Sequence, residues 1–137
     1  MAGTSGRSVI QKLGLKPGFC VFVDGLSVPY GDIVGELPAG VRLTKTVRAP
    51  LDAVHVFATE ARGLASRLRR CREAIAPDGM VWVSWPKKTS GVVTDLNDVA
   101  VREAGLASGL VDVKVCAVDA VWSGLKFVIP VKQRDKR

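Results

Sequence analysis

Gly79 to Asp98, GMVWVSWPKKTSGVVTDLND, is the stretch whose reading decides the fold. Met80 to Trp85 is a run of strand length, apolar except at Ser84, as expected of a strand buried on both faces. Pro86 cannot donate to a sheet ladder and stops it. Lys87, Lys88, Thr89, Ser90 and Gly91 then form a loop at the strand's C-terminal end, and Thr94 or Asp95 is placed to cap the next helix. In open α/β sheets ligands gather outside the carboxyl ends of the strands. Two ammonium groups, the hydroxyl of Ser90, the carboxylate of Asp95 and a helix start at that place point to an anion such as a phosphate or carboxylate. A solvated polar turn explains the same residues, since strand-to-helix loops are routinely polar.

Upstream, Ser5 to Leu13 reads as a short helix stopped by Gly14, and Phe19 to Val23 as a central strand delivering Asp24 and Gly25 to its end. A short helix is expected around Asp32 to Leu37, then a threonine-containing edge strand from Val41 to Val47 and a buried strand from Leu51 to Ala58. From Ala61 to Ile75, Leu64, Ala65, Leu68 and Cys71 keep to one helical face, opposite Arg62, Arg67, Arg69, Arg70 and Arg72, and APDG closes that helix. Downstream, a helix over Thr94 to Ala104 precedes a strand over Val111 to Val118. The connection DAVWSG, Asp119 to Gly124, leads into an antiparallel strand over Leu125 to Val131.

Alternating strands and helices with a closing hairpin predict a single three-layer Rossmann-like α/β domain over 1–131, its sheet mostly parallel but mixed, followed by a basic tail from Lys132 to Arg137. Only Arg48, Ala49 and Pro50 separate the strand at Val41 from the one at Leu51, whereas a parallel crossover takes about a dozen residues. The chain's second strand is therefore expected to run antiparallel or to be irregular.

With 137 residues and 47% hydrophobic content the chain can bury a real core. No window approaches the ~20 apolar residues of a membrane span and the first residues hold no signal-peptide run, so a cytoplasmic protein is expected. Cys20, Cys71 and Cys116 are odd in number and far apart, which suits small buried hydrophobes rather than a metal site or a disulfide framework. His55, inside AVHVFA, reads as a satisfied core or edge histidine. Twenty Lys and Arg against 13 Asp and Glu give +7, a field that attracts anionic metabolites, acidic partners or nucleic acid, although no aromatic-interleaved basic strand is present. Oligomeric state is not readable from the residues.

LGLKPG followed by an apolar strand, with the closing hairpin, resembles a class I S-adenosylmethionine-dependent methyltransferase. More specifically, WPKKTSGVVTDL and GLVDVKVCAVDAVWSGLKFV resemble the bacterial family catalogued as domain of unknown function 3052, over nearly the whole chain. That resemblance implies a small methyltransferase-like fold, with no activity attached. S-adenosylmethionine is the cofactor that the methyltransferase likeness implies, with Asp24 and Gly25 against it and Asp119 or Lys87 near the acceptor. Two stretches depart from the pattern. The turn that carries glycines in such enzymes is here DGLSVPYGD, with Val28, Pro29 and Tyr30 in it. Where an acidic residue usually ends the second strand, this chain has Lys45, Thr46, Val47 and Arg48, and the short link suggests that the strand ends on the other side of the sheet.

Three functional readings follow. The first is a domain, non-catalytic or cryptic, holding an anionic small molecule at Lys87 to Gly91. The parallel penultimate strand would bring Asp119, Trp122 and Ser123 to the same rim, Trp122 stacking on a planar group and Ser123 donating a hydrogen bond. Trp122 as a packed hairpin aromatic and Asp119 as a turn former are the plainer roles. The second is a methyltransferase with a degenerate cofactor loop. The third is a basic RNA or protein adaptor working through Arg62 to Arg72 and the tail. No Ser-His-Asp set, paired carboxylates or nucleotide-phosphate glycine loop is present, so the residues leave open whether the chain is an enzyme.

Overall fold

A computed structural model describes residues 8–48 and 50–134. Helix α1 (Val9–Leu13) opens on a capping box: the Ser8 hydroxyl accepts from the Gln11 backbone while the Gln11 side chain accepts from that of Ser8. It ends at Gly14, whose φ of 77° is the left-handed conformation that glycine adopts without strain. The chain continues through β1 (Cys20–Asp24), α2 (Tyr30–Val34), β2 (Arg42–Thr44), β3 (Leu51–Phe57), α3 (Leu64–Ala74), β4 (Ile75–Pro86), α4 (Asp98–Ala107), β5 (Val111–Ala117) and β6 (Trp122–Val128). Three-residue 3-10 turns follow β4 and β6, at Lys88–Ser90 and Val131–Gln133.

The six strands lie in the order β2-β1-β3-β4-β6-β5. β2, β1, β3 and β4 pair in parallel, while β6 runs antiparallel to both β4 and β5. This is the expected α/β Rossmann-like domain with a mostly parallel mixed sheet and a C-terminal antiparallel pair.

The direction of the second strand corrects the sequence expectation: β2 is parallel to β1, its residues Arg42, Leu43 and Thr44 opposite Cys20, Val21 and Phe22. The crossover rule fails because β2 has only three residues. Returning along ~10 Å of strand and across two strand spacings of ~4.8 Å asks for roughly 14 Å, within the ~20 Å that six extended residues reach. β2 therefore ends on the same rim as β1. Other boundaries move as well. α3 stops at Ala74 and the chain passes straight into β4, with APDG absorbed as an irregularity between the pairs Leu51–Ile75 and Ala53–Met80. α4 is capped by Asn97, whose side chain accepts from Ala100 N at 2.8 Å, rather than by Thr94 or Asp95.

Two apolar layers enclose the sheet. On one face Val81, Val83, Leu125 and Phe127 meet Leu64, Leu68 and Cys71 of α3 and Val101 of α4. On the other, Val21, Ala53, Phe57 and Trp82 meet Leu13 of α1 and Tyr30 and Val34 of α2. The fully buried Trp82 donates its indole N–H to the Leu13 carbonyl at 2.9 Å, so its one polar atom is satisfied where it is buried. Cys71 is buried, which pushes its thiol up to about 11, and Cys20 and Cys116 are half-buried; all three are free.

Gly105 marks the closest helix-to-sheet approach. A methyl group there would overlap the ring of Phe127, which is fully buried and has no free direction to retreat. Gly105→Ala gains about 1 kcal/mol of helix propensity, but overpacking an enclosed ring costs about 1–3 kcal/mol. The expected result is net destabilisation, read as a lower denaturant midpoint with an unchanged slope; a midpoint that rises would show that α4 can lift off the sheet.

Candidate functional site

The parallel strands β1, β2, β3 and β4 deliver their C-terminal ends to one rim. At the end of β1, one carboxylate oxygen of Asp24 accepts from Arg67 Nε at 3.1 Å and from Nη2 at 2.9 Å, tying the strand to α3. Both partners are about one-third exposed, with side-chain accessibilities of 35% and 30%. Gly25 follows with φ at 83°, and a side chain there would run into the Phe57 carbonyl, so the turn presses against the end of β3.

Two hollows open along this rim. The first, about 300 Å³, lies where β1 and β2 end and is lined by Val23, Leu26, Val28, Pro29, Tyr30, Leu43, Thr44 and Lys45. The second, about 420 Å³, lies at the end of β4 beside the start of α4. Lys87, Lys88, Thr89, Asn97 and Asp98 line it with Trp85, Leu96, Val115 and Ser123.

Of the residues singled out in the sequence, Lys87, Lys88 and Ser123 meet in the second hollow. Ser90 shapes the adjacent turn, donating to the Lys87 carbonyl at 2.6 Å and accepting from Val92 N at 3.2 Å. The Asp95 carboxylate accepts from Ala61 N at 2.8 Å, and Thr94 donates to the Thr59 carbonyl at 2.6 Å; together they stitch the loop before α4 to the loop after β3. Asp119 accepts from Val121 N and Trp122 N, both at 2.8 Å, as the former of the β5–β6 turn. Trp122 sits edge-on to Phe57, with centroids 5.1 Å apart, in the layer that holds α1 and α2. Adjacent strand residues point to opposite faces, so Ser123 joins the lysines while Trp122 turns away from them.

Beneath the first hollow lies a polar chain not anticipated from the sequence. The Tyr30 hydroxyl is 2.7 Å from His55 Nδ1, and His55 Nε2 is 2.7 Å from the Ser84 hydroxyl. Phe57 stacks on the imidazole at 4.2 Å between centroids. A neutral imidazole donates from one nitrogen and accepts at the other, so both of its polar atoms are satisfied without charge. Burial drives the Tyr30 phenol well above its ordinary value and pulls His55 down from 6.5 to about 3. No sequence signal joins Tyr30 to Ser84, because both partners lie more than two dozen residues from His55. Among the described residues no cluster of potential metal ligands occurs, and no helix is long and apolar enough to cross a membrane.

No protein-family model matches the chain, and no curated protein matches it. Solved structures do. An S-adenosylmethionine-dependent methyltransferase from Aquifex aeolicus superposes with a TM-score of 0.66 at 16% identity, over 89% of this chain and 88% of that one. The 1,6-didemethyltoxoflavin-N1-methyltransferase of Burkholderia thailandensis, solved with bound 1,6-didemethyltoxoflavin and S-adenosylhomocysteine, gives 0.61 at 13% identity over 87% of this chain and 73% of that one. TrmN from Thermus thermophilus gives 0.60 at 10% identity over 89% of this chain, which spans about half, 47%, of its length. The fold is thus class I methyltransferase-like.

That fold implies S-adenosylmethionine, and the rim residues match one end of such a ligand and not the other. The first hollow, walled by Val23, Leu26, Val28 and Leu43 beside Tyr30, suits a purine. No carboxylate lines it to accept from ribose hydroxyls; Lys45 stands at the end of β2, and Asp24 is engaged by Arg67. The ribose-binding mode usual for the fold is therefore not met by the residues lining this hollow.

The buried histidine sets an acid limit on the fold that carries this rim. With the folded value near 3 and the unfolded one near 6.5, the unfolded chain binds the extra proton between them. The contribution is complete above pH 6.5 and is lost on acidification at about 1.4 kcal/mol per pH unit. Denaturant midpoints of the wild type and His55→Gln at pH 7 and 5 should show the wild type losing more stability on acidification; equal losses would refute a neutral buried imidazole.

Proposed function

We propose that the protein is a methyltransferase-like domain that takes an adenosyl ligand of the S-adenosylmethionine class in the hollow at the ends of β1 and β2. The observation that carries this reading is the return of β2 to the same rim as β1. It leaves an apolar cleft beside Tyr30 at the place where this sheet architecture gathers ligands. The turn DGLSVPYGD is a degenerate version of a cofactor loop in this reading, with Asp24 holding α3 in place and Gly25 allowing the close turn. We also propose membership of the bacterial domain of unknown function 3052 family, on the WPKK and VDVKVCAVD-WSGLK strings, and residence in the cytoplasm.

A second reading is favoured by the other hollow. Lys87 and Lys88 with Ser123 offer two cations and a hydroxyl in about 420 Å³, enough for a small carboxylate or phosphate compound. The two readings are compatible, since an adenosyl ligand and an acidic one would occupy different hollows.

Isothermal titration separates them. S-adenosylmethionine or S-adenosylhomocysteine should bind weakly, and Lys45→Asp should tighten binding by about tenfold, the worth of one charge-assisted hydrogen bond to a ribose hydroxyl. Absence of heat and of any melting shift with either ligand, in both proteins, rejects the first reading. Phosphate or a dicarboxylate should bind the wild type and be lost in Lys87→Ala/Lys88→Ala; retention in that variant rejects the second.

A further inference from the structure

We propose that the face of β5 and β6 on the α1 side binds the phosphate backbone of a nucleic acid, without sequence preference, through Lys12, Lys16, Lys114 and Lys126. The placement begins with strand register. Lys126 stands opposite Trp82 on one side and Lys114 on the other, so the row Trp82, Lys126, Lys114 crosses three strands on one face. α1 packs on the first member of that row, its Leu13 carbonyl accepting from the Trp82 indole. Lys12 in α1 and Lys16 just beyond its end lie near the same strands: the Lys16 charge lowers Lys126, and the Lys12 charge lowers Cys116, two residues from Lys114.

Like charges directly opposite on paired strands repel, and among the described residues no ion pair relieves them. The ion pairs among the described residues are Arg67–Asp24 and Arg102–Asp112, both elsewhere. Asp112 is opposite Phe127 and so belongs to the other face. Half-burial, then Lys114, then Lys16 hold Lys126 below the ordinary lysine value, as expected for a group awaiting a counter-charge.

The arginines of α3, the more obvious basic cluster in the sequence, are largely engaged. Arg67 is bound to Asp24, Arg69 to the Ala107 carbonyl, and Arg72 to the Gly109 carbonyl and Gln133. They close helix ends and loops, whereas among the described residues the four lysines make no side-chain hydrogen bond or ion pair. The kind of partner follows from what surrounds the lysines. Neither hollow opens on this face, and the exposed Val115 belongs to the other one, where it lines the second hollow. A protein interface draws its energy from apolar anchors set in pockets, and neither of the two hollows supplies such a pocket beside these lysines. Four neighbouring cations select for charge density, which is highest along a nucleic acid, at one charge per ~1.7 Å of duplex.

The test is fluorescence anisotropy with a short labelled RNA and a DNA duplex across a salt series. Four phosphate contacts predict a log–log salt slope of about −3, and Lys114→Glu/Lys126→Glu should weaken binding by about thirtyfold or more at moderate salt while flattening that slope by about 1.5. Arg62→Glu/Arg70→Glu should leave affinity within about threefold, since those side chains lie outside the face. Lys114→Gln/Lys126→Gln, which removes the like-charge pair without creating another, should melt no lower than the wild type and lose affinity in the same direction, and it serves where the glutamate pair disturbs the fold. Unchanged affinity in the lysine variants, loss in the arginine variant instead, or tighter binding to polyglutamate or to phosphatidylserine vesicles than to either nucleic acid overturns the proposal.

Discussion

The pleat of β4 is the constraint on which the rest of the molecule depends. Val81, Val83 and Trp85 face α3 and α4, while Met80, Trp82 and Ser84 face α1 and α2, and all six are buried. A strand enclosed on both faces cannot slip by one residue without exchanging every side chain between layers. Each fully buried aliphatic or aromatic side chain contributes about 1.5–3 kcal/mol through burial, so the register of β4 against β3 and β6 is strongly defined. From that register follow the seat of α1 on Trp82, the polar chain at Ser84, and the exit of the chain at Pro86 into Lys87 and Lys88.

Much of this was legible in the sequence because the signals were local. The apolar run from Met80 to Trp85, the stop at Pro86 and the stripe Leu64, Leu68, Cys71 each need only neighbouring residues to be read. The direction of β2 was not legible. The loop-length argument assumes strands of ordinary length, and the three residues of β2 made a six-residue return sufficient. Asp95 accepts from Ala61 N, and Thr94 accepts from Leu96 N while donating to the Thr59 carbonyl, which leaves the cap to Asn97. Sequence offers no way to know which nearby donor a hydroxyl or carboxylate will meet.

The candidate site divides in the same way. Lys87, Lys88 and Ser123 come together because β6 returns antiparallel beside β4, which the hairpin pattern foretold. Trp122 and Ser123 were expected on one side of the rim, and strand alternation alone separates them. The hollow at Lys45 and the chain Tyr30–His55–Ser84 were invisible because each is assembled from segments far apart in the chain. Charge shows a similar split: Arg67, Arg69 and Arg72, prominent in the sequence, serve as internal ties, while Lys114 and Lys126 face each other across paired strands.

The stitches from Thr94 to Thr59 and from Asp95 to Ala61 join two rim loops into a single tab braced between β3 and α4. Each stitch is a contact that a rearrangement of the loops would have to break. A molecule arriving beside the tab would meet a surface whose ordering entropy was already spent when the chain folded, so recognition there resembles a mould more than a closing hand. Association would then proceed in one kinetic phase, limited by diffusion and orientation rather than by rearrangement of the host.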